Sequence, residues 1–172
     1  QPVRFSPGFE SYVQKRLVGR PVEQAEFEIA AEQLLRLSLA HPVKCGYVLA
    51  ALQELQPTIV RYPGGNFLSG YHWLDGVGPK DSRPRKTDLA WYAEESNRFG
   101  TDEFIAFCRY LGTDPYIAVN SGLGDARSAV EELLYANAPA DKPGGQLRAK
   151  NGHPEPYGVR WWSIGNEMYG DW

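Results

Sequence analysis

The sequence predicts an α/β fold, and specifically the first half of an incomplete (β/α)8 TIM barrel. Short apolar strands alternate with amphipathic helices, and polar residues follow each strand. Such alternation places crossover helices between parallel strands. No glycine-rich phosphate fingerprint is present, which favours a barrel over a doubly wound nucleotide-binding sheet. A whole barrel takes about 250 residues, and this chain has 172, so we expect it to be part of a longer protein.

The chain divides into a partly helical N-terminal segment at 1–40 and a barrel segment at 41–172. The first 20 residues show no regular period and are predicted to be irregular. Residues 22–40 carry apolar side chains at helical spacing, with glutamates outside the stripe, which predicts a helix. A second apolar stripe predicts a helix over 43–56, which Pro57 ends.

Residues 58–62 are predicted to form the first strand, and Pro63-Gly64-Gly65-Asn66 follows. The two glycines let the backbone turn sharply and approach a ligand closely. Arg61 lies inside this apolar strand, where a guanidinium needs an oxygen partner. We expect either a core ion pair or a role in holding a catalytic carboxylate, and the two are compatible.

Residues 68–100 form an unusually long connection, and long loops in compact domains are often functional. The connection contains large aromatic and imidazole side chains, among them Tyr71, His72, Trp73, Trp91 and Tyr92. Its basic cluster is predicted to be a solvated loop face, formed by Lys80, Arg83, Arg85 and Lys86. His72 has no metal-ligand spacing to the other histidines, so we expect no metal site and no cofactor.

The helix–strand pattern then repeats. Thr101 or Asp102 can cap a helix that runs to Leu111, and residues 115–119 predict the next strand. Residues 125–137 predict a helix, and residues 138–157, rich in proline and glycine, predict a loop. The inward face of the 125–137 helix is expected to carry Ala126, Ala129, Val130, Leu133 and Leu134.

Residues 159–164 predict a buried final strand, after which come Gly165, Asn166 and Glu167. Aromatic rings can stack on a sugar, the amide can bind a hydroxyl, and a partly desolvated carboxyl group can deliver a proton. The alternative is that Glu167 is an ordinary charged residue in an exposed turn. The Gly-Asn-Glu order and the nearby aromatic residues favour a sugar-handling site. These aromatic residues are Trp161, Trp162, Tyr169 and Trp172.

The composition excludes several classes of partner. A net charge of −3 and the lack of a long apolar run lead us to expect no nucleic-acid and no membrane partner. No signal peptide is visible, which predicts a cytoplasmic protein, although a chain that starts at Gln1 and not at Met can lack its native N-terminus. Cys45 and Cys108 are expected to be buried thiols rather than a disulfide.

Five ordered blocks carry a family resemblance, namely Arg61-Tyr-Pro-Gly-Gly-Asn-Phe-Leu-Ser-Gly-Tyr-His-Trp73, Asp75-Gly-Val-Gly-Pro79, Asp88-Leu-Ala-Trp91, Asn97-Arg-Phe-Gly100 and Gly165-Asn-Glu-Met168. With these blocks, residues 58–172 resemble the catalytic barrel of the α-L-arabinofuranosidases of glycoside hydrolase family 51. The resemblance does not extend to residues 1–40, where the family has a first barrel strand with a substrate-binding glutamate.

The resemblance implies a retaining mechanism with two carboxylates. It implies that Glu167 is the general acid/base and that Asn166 binds the arabinose 2-hydroxyl. By the same match, Asn66 and Trp91 line the pocket for the terminal arabinose, and Arg61 supports the nucleophile. The family's nucleophilic glutamate lies beyond Glu167 in sequence, and this chain ends before it, so we expect the fragment to be inactive alone.

The sequence therefore predicts part of an enzyme that removes terminal non-reducing α-L-arabinofuranosyl residues from arabinan- or arabinoxylan-type glycans. The expected partner is an arabinose-containing oligo- or polysaccharide, and the full-length protein is expected to be a homo-oligomer, as is common in the family. Two alternatives stay open. One is another retaining barrel glycosidase, such as a xylanase-like enzyme, and the other is a non-catalytic carbohydrate-binding protein.

Overall fold

The computed structural model describes residues 42–167, with side chains described from residue 48 onward. The expectations for 1–20 and 22–40, for the Cys45 thiol, and for Tyr169 and Trp172 lie outside the described residues. The described helices are α1 (Pro42–Leu55), α2 (Thr101–Leu111), α3 (Ala126–Asn137) and α4 (Gly145–Lys150). The described strands are β1 (Ile59–Tyr62), β2 (Lys86–Thr87), β3 (Glu94–Glu95), β4 (Asp114–Val119) and β5 (Trp161–Ile164).

Strands β1, β4 and β5 form a parallel sheet in which β4 is central. Tyr62 pairs with Ile117, which in turn pairs with Trp162. The predicted α/β fold with parallel strands is confirmed. Within residues 42–167 the sheet is open and has three strands, so no closed barrel is present in this part of the chain.

The core lies between this sheet and the helices. Alternate strand residues face the helices because side chains in a strand point to opposite faces in turn. Tyr62, Ile117 and Trp162 belong to this face, and the Tyr62 ring stacks on Phe104 of α2 at 4.9 Å between ring centroids. Cys108 is a buried free thiol, as expected, and burial raises its pKa to about 12.

The start of α2 differs from its prediction. Gly100 is the N-cap, whereas Thr101 and Asp102 are buried within the first turn. The Glu103 carboxylate accepts the Gly100 N–H at 2.8 Å and so satisfies a free donor of the helix end. A Cβ on Gly100 would come within 1.8 Å of the Gly76 carbonyl oxygen. The close approach of these two backbone segments therefore decides the cap.

Arg83 does not lie on a solvated face, so that prediction is wrong for this member of the basic cluster. Arg83 is 8% exposed as a residue, and its side chain makes two hydrogen bonds to Glu103, at 2.8 and 3.0 Å. Burial alone would lower the pKa of Arg83, but the hydrogen bonds and the charge of Glu103 outweigh it and raise that pKa. Arg83 thereby attaches the long connection to the first turn of α2.

The predicted inward face of α3 is wrong. Val130, Leu133 and Leu134 are exposed, and the buried residues are Glu132, Tyr135 and Ala136. A buried tyrosine needs a partner for its hydroxyl group. Tyr135 finds one in the buried Asp102 carboxylate, at 2.7 Å, so this bond fixes which side of α3 faces the core.

The predicted 138–157 loop contains α4. The Arg148 guanidinium, fully buried, donates to the backbone carbonyl groups around it, which are those of Tyr135, Ala138, His153 and Pro154. A buried guanidinium of this kind acts as a scaffold for chain segments without regular structure. The sequence pattern was too short to indicate a six-residue helix.

No helix in the described part of the chain is long and apolar enough to cross a membrane.

Candidate active site

Asn66 and Asn166, which are 100 positions apart in the chain, are in direct contact. Asn166 Nδ2 donates to Asn66 Oδ1 at 3.0 Å, and Arg61 Nη2 donates to Asn166 Oδ1 at 3.0 Å. Both asparagines follow the C-terminal ends of parallel strands, β1 and β5, and such ends meet at one edge of a sheet. Three of the predicted site residues are thus brought together. All three side chains are partly buried.

The backbone after β1 places Asn66. A cis peptide bond joins Tyr62 to Pro63, and Gly64 has a φ of 150°, which L side chains rarely adopt. Asn66 then begins a 3₁₀ turn, Asn66–Gly70. A Cβ on Gly65 would lie 3.8 Å from Asn166 Nδ2, so the turn and the Asn166 amide are in van der Waals range.

The segment after β4 supports this turn through hydrogen bonds. The Asn120 side chain donates to the Tyr71 carbonyl at 2.8 Å and accepts the N–H groups of Gly122 and Gly124. Leu123 N–H donates to the Ser69 carbonyl at 3.0 Å. Asn120, at the same edge of the sheet, therefore holds the loops in place, while Asn66 and Asn166 face each other.

Glu167 follows Asn166 directly and is exposed. Its φ of 45° lies in the left-handed region, which is uncommon for a residue other than glycine. The described residues do not provide the partial desolvation that we expected around this carboxylate. They do place it next to the amide pair in sequence, at the C-terminal end of β5.

The two tryptophans of β5 do not line this edge, contrary to expectation. Trp162 packs against the core and donates from Nε1 to the Val159 carbonyl at 3.0 Å. Trp161 begins β5 and donates from Nε1 to Asp114 at 3.1 Å, at the opposite end of the strands from Glu167. The alternation of a short strand places one ring on each face of the sheet.

Trp91 lies at the tip of a hairpin formed by β2 and β3. Its side chain is 61% exposed. The buried Asp88 shapes the tip by accepting the N–H groups of Ala90 and Trp91 at 2.9 and 3.2 Å. Leu89, from the same tip, lies against Gly70, where an added Cβ would come within 3.2 Å of it. The hairpin tip therefore borders the turn that begins at Asn66.

A buried pair of tyrosine hydroxyl groups was not predicted from the sequence. Tyr62 Oη and Tyr71 Oη are 2.8 Å apart and buried. Burial is the main reason that the pKa of each phenol is raised, and nearby carboxylates, including Glu132, add to the effect. Both residues fall within the first of the five sequence blocks, but only the fold brings their hydroxyl groups together.

Among the described residues, no three His, Cys, Asp or Glu side chains are grouped to hold a metal ion.

A family model described as the alpha-L-arabinofuranosidase 1 domain matches residues 51–171. The chain belongs to this family. Solved family 51 enzymes are among its structural matches, so the resemblance expected from the five blocks is confirmed. The match covers the whole of the described sheet and continues past Asn166 and Glu167 to residue 171.

Individual relatives agree with this assignment. The chain is 50% identical over 125 residues to alpha-L-arabinofuranosidase C of Emericella nidulans, covering 73% of this chain and 25% of the relative. It is 50% identical over 127 residues to the intracellular exo-alpha-(1->5)-L-arabinofuranosidase of Streptomyces lividans, covering 73% of this chain and 19% of that enzyme. The arabinose complex of the Thermotoga maritima alpha-L-arabinofuranosidase superposes with a TM-score of 0.70 at 55% identity, covering 72% of this chain and 26% of the enzyme. This arabinofuranosidase-family chain thus spans about a quarter of the length of most of these relatives.

Proposed function

We propose that this chain contributes half of the active site of an enzyme that removes terminal non-reducing α-L-arabinofuranosyl residues from arabinan- or arabinoxylan-type glycans. The observation that carries the proposal is the contact between Asn66 and Asn166, with Arg61 behind it and Glu167 next in sequence. Amide groups that share a hydrogen bond at a strand edge still have capacity to bind sugar hydroxyls. The names of the relatives support the choice of sugar.

Each residue has a role in this proposal. Asn166 binds the 2-hydroxyl of the terminal arabinose, a contact that can strengthen in the transition state. Asn66 and Trp91 line the pocket for the same sugar. Glu167 protonates the leaving glycosidic oxygen and later deprotonates the attacking water, as a retaining mechanism requires.

The role of Arg61 includes the orientation of Asn166. A charged donor on Asn166 Oδ1 fixes the amide so that Nδ2 points toward Asn66. This contact favours a role for Arg61 in the site, which was one of the two possibilities that the sequence left open. Support of the nucleophile by the same guanidinium remains part of the proposal.

The second carboxylate of a retaining glycosidase must come from outside the described sheet. The two carboxyl groups of such enzymes lie about 5–5.5 Å apart. Three described aspartates in the segments that connect the strands and helices already have other partners. Asp75 pairs with Lys86, Asp88 caps the hairpin tip, and Asp125 caps α3. We therefore propose that the chain alone binds the sugar but does not turn it over.

The three parallel strands correspond in this proposal to part of a (β/α)8 barrel. Each strand is followed by residues that meet at one edge, and catalytic residues of such barrels lie at the C-terminal ends of the strands. The open sheet and its share of the relatives' length agree with an incomplete barrel. Assembly of the whole protein as a homo-oligomer and a cytoplasmic location remain predictions.

The test measures sugar binding and turnover separately. We expect the purified chain to bind L-arabinose, detected by NMR titration, and Asn66→Ala to weaken that binding by about tenfold through loss of one or two hydrogen bonds. Glu167→Gln should leave the affinity within about twofold, because a general acid acts on the leaving group rather than on the bound arabinose. No arabinose binding by a chain shown to be folded would contradict the proposal.

Turnover is measured as nitrophenol release from an aryl α-L-arabinofuranoside. We expect none from the chain alone or from Glu167→Ala. Release that disappears in Glu167→Ala would confirm the substrate class and the role of Glu167, but would overturn the proposal that the second carboxylate lies outside this chain. A binding site that accepts xylose as well as arabinose would instead favour the xylanase-like alternative.

A further inference from the structure

The tip of the β2–β3 hairpin carries a second exposed ring beside Trp91. Tyr92 is 86% exposed, more than Trp91 at 61%. Burying a large aromatic ring against a ligand is favourable. Aromatic side chains that are this exposed in an ordered loop are therefore candidates for ligand contact. The proposed pocket for the terminal arabinose does not require Tyr92.

The backbone of Tyr92 is held in an unfavourable conformation. Its φ is 51°, in the left-handed region, which bulky side chains rarely adopt. The Tyr92 N–H donates to the Asp88 carbonyl at 2.8 Å, and this bond keeps the residue in place. A strained residue at an exposed tip is an observation from which a functional role can be inferred.

The tip is also closed by hydrogen bonds and lies near the turn that carries Asn66. Asp88 donates its own N–H to the Ala93 carbonyl at 2.8 Å and accepts N–H groups through its side chain, which closes the tip on itself. Leu89 of the tip lies against Gly70, the last residue of the turn that begins with Asn66. Rings on a rigid support bind with a smaller loss of conformational entropy.

We propose that Tyr92 is a stacking platform for the pentose unit that follows the terminal arabinose, on the leaving-group side of the glycosidic bond. The inference rests on the proposed function, in which the Asn66–Asn166 pair and Trp91 take the terminal sugar. An enzyme that removes terminal residues has the remainder of the glycan at the rim of its pocket. The hairpin tip borders that pocket, so its more exposed ring is available to stack on the next pentose unit of an arabino-oligosaccharide.

The experiment compares two probes on the full chain, L-arabinose and α-1,5-linked arabinotriose, by NMR titration. Tyr92→Asn removes the ring and also suits the left-handed backbone, because asparagine tolerates a positive φ. We expect this variant to bind arabinotriose about threefold to tenfold more weakly, while its affinity for arabinose is unchanged. Its melting temperature should rise, which a purely structural role of the ring would not produce.

Two further variants complete the design. Tyr92→Phe keeps the ring and should retain the wild-type affinity for arabinotriose. Tyr110→Asn removes another exposed tyrosine, 60% exposed near the end of α2, and should leave both affinities unchanged.

The outcomes separate this inference from the proposed function. If arabinose binds but Tyr92→Asn leaves the arabinotriose affinity unchanged, or weakens both probes equally, the inference is overturned and the proposed function stands. The same holds if Tyr92→Asn changes only the sedimentation of the protein, because the ring would then cover a second copy. If the folded chain binds neither probe, the proposed function fails and the inference fails with it.

Discussion

Asn166 is held at both ends of its amide group. Its Oδ1 accepts from Arg61 and its Nδ2 donates to Asn66, each at 3.0 Å. A carboxamide has two N–H donors and two lone pairs, so these bonds set its orientation and still leave capacity for a ligand hydroxyl. The orientation of the Asn166 amide therefore depends on one charged donor, Arg61, which lies within an apolar strand.

Arg61→Met tests this dependence. The variant keeps much of the apolar stem but removes the charged donor, so Asn166 should lose its fixed orientation. Hydrogen bonds to charged groups contribute roughly 1.5–3 kcal/mol, so we expect arabinose affinity to fall by about tenfold or more. Isothermal titration calorimetry measures the change. Arg160→Met changes an exposed arginine in the same way. It serves as the control and should bind arabinose normally.

Glu132 is a second residue whose surroundings matter. It is 3% exposed on α3, and burial raises its pKa from 4.5 to about 8. The folded state therefore holds this proton more tightly than the unfolded state does. The stability that Glu132 contributes is fully present below about pH 4.5 and is lost as the pH rises through about 8.

Glu132→Gln should remove this pH dependence. We expect the wild-type free energy of unfolding to fall across the window by up to about 1.4 kcal/mol per pH unit, while the variant stays nearly constant. Urea unfolding at a series of pH values between 5 and 9 gives both curves. Glu131→Gln, on the same helix but paired with Arg127 at the surface, provides the matched control. Parallel curves for wild type and Glu132→Gln would contradict the assignment.

At the scale of elements, the N-terminus of α2 is supported by an arginine that is distant in sequence. Arg83 binds the Glu103 carboxylate, and Glu103 binds the Gly100 N–H. Burial alone would raise the pKa of Glu103, but hydrogen bonds from Arg83 and Gly100 outweigh it and lower that pKa. The sequence correctly indicated that a helix occupies 101–111. It could not indicate the cap, because the cap depends on a contact 20 positions away.

Arg83→Met should destabilise the fold strongly. The change leaves Glu103 half-buried without its main partner, and breaking a buried ion pair in this way costs about 3–5 kcal/mol. Arg85→Met, which removes an exposed arginine paired with Glu94, should cost less than about 1 kcal/mol. Chemical denaturation of the two variants gives the comparison. Equal losses would show that Arg83 is no more than a surface residue.

At the scale of the whole molecule, apolar surface remains uncovered. Ile164 of β5 is 83% exposed, and β5 lies at the edge of the sheet formed by the described residues. Val130, Leu133 and Leu134 form an exposed apolar face on α3. Open strand edges and apolar patches of this kind favour association with other chains.

We expect the isolated chain to self-associate or aggregate as its concentration rises. Sedimentation velocity over a range of concentrations measures this tendency. Changing Val130 and Leu133 together to glutamine should reduce it, because the substitution removes apolar surface without shortening the helix. Ala126→Gln, at an exposed position of the same helix, should have little effect. A monodisperse monomer that melts cooperatively would contradict the prediction.

The order of β1, α2, β4, α3 and β5, their parallel pairing and the placement of Asn66, Asn166 and Glu167 after strands all follow from the sequence alone. Periodicity and chain-terminating residues act over a few positions, so they can be read locally. The buried face of α3 and the burial of Arg83 could not be read in this way. Each depends on a partner that only the folded chain brings near.

The candidate site shows the same division. The sequence determined which residue types stand at the ends of β1 and β5, and with them the family and the expected chemistry. The tertiary structure decided that the Asn66 and Asn166 amides bind each other across 100 positions, and that the tryptophans of β5 lie away from them. Contacts between strand ends depend on the register of the whole sheet, and a single strand's sequence carries no record of that register.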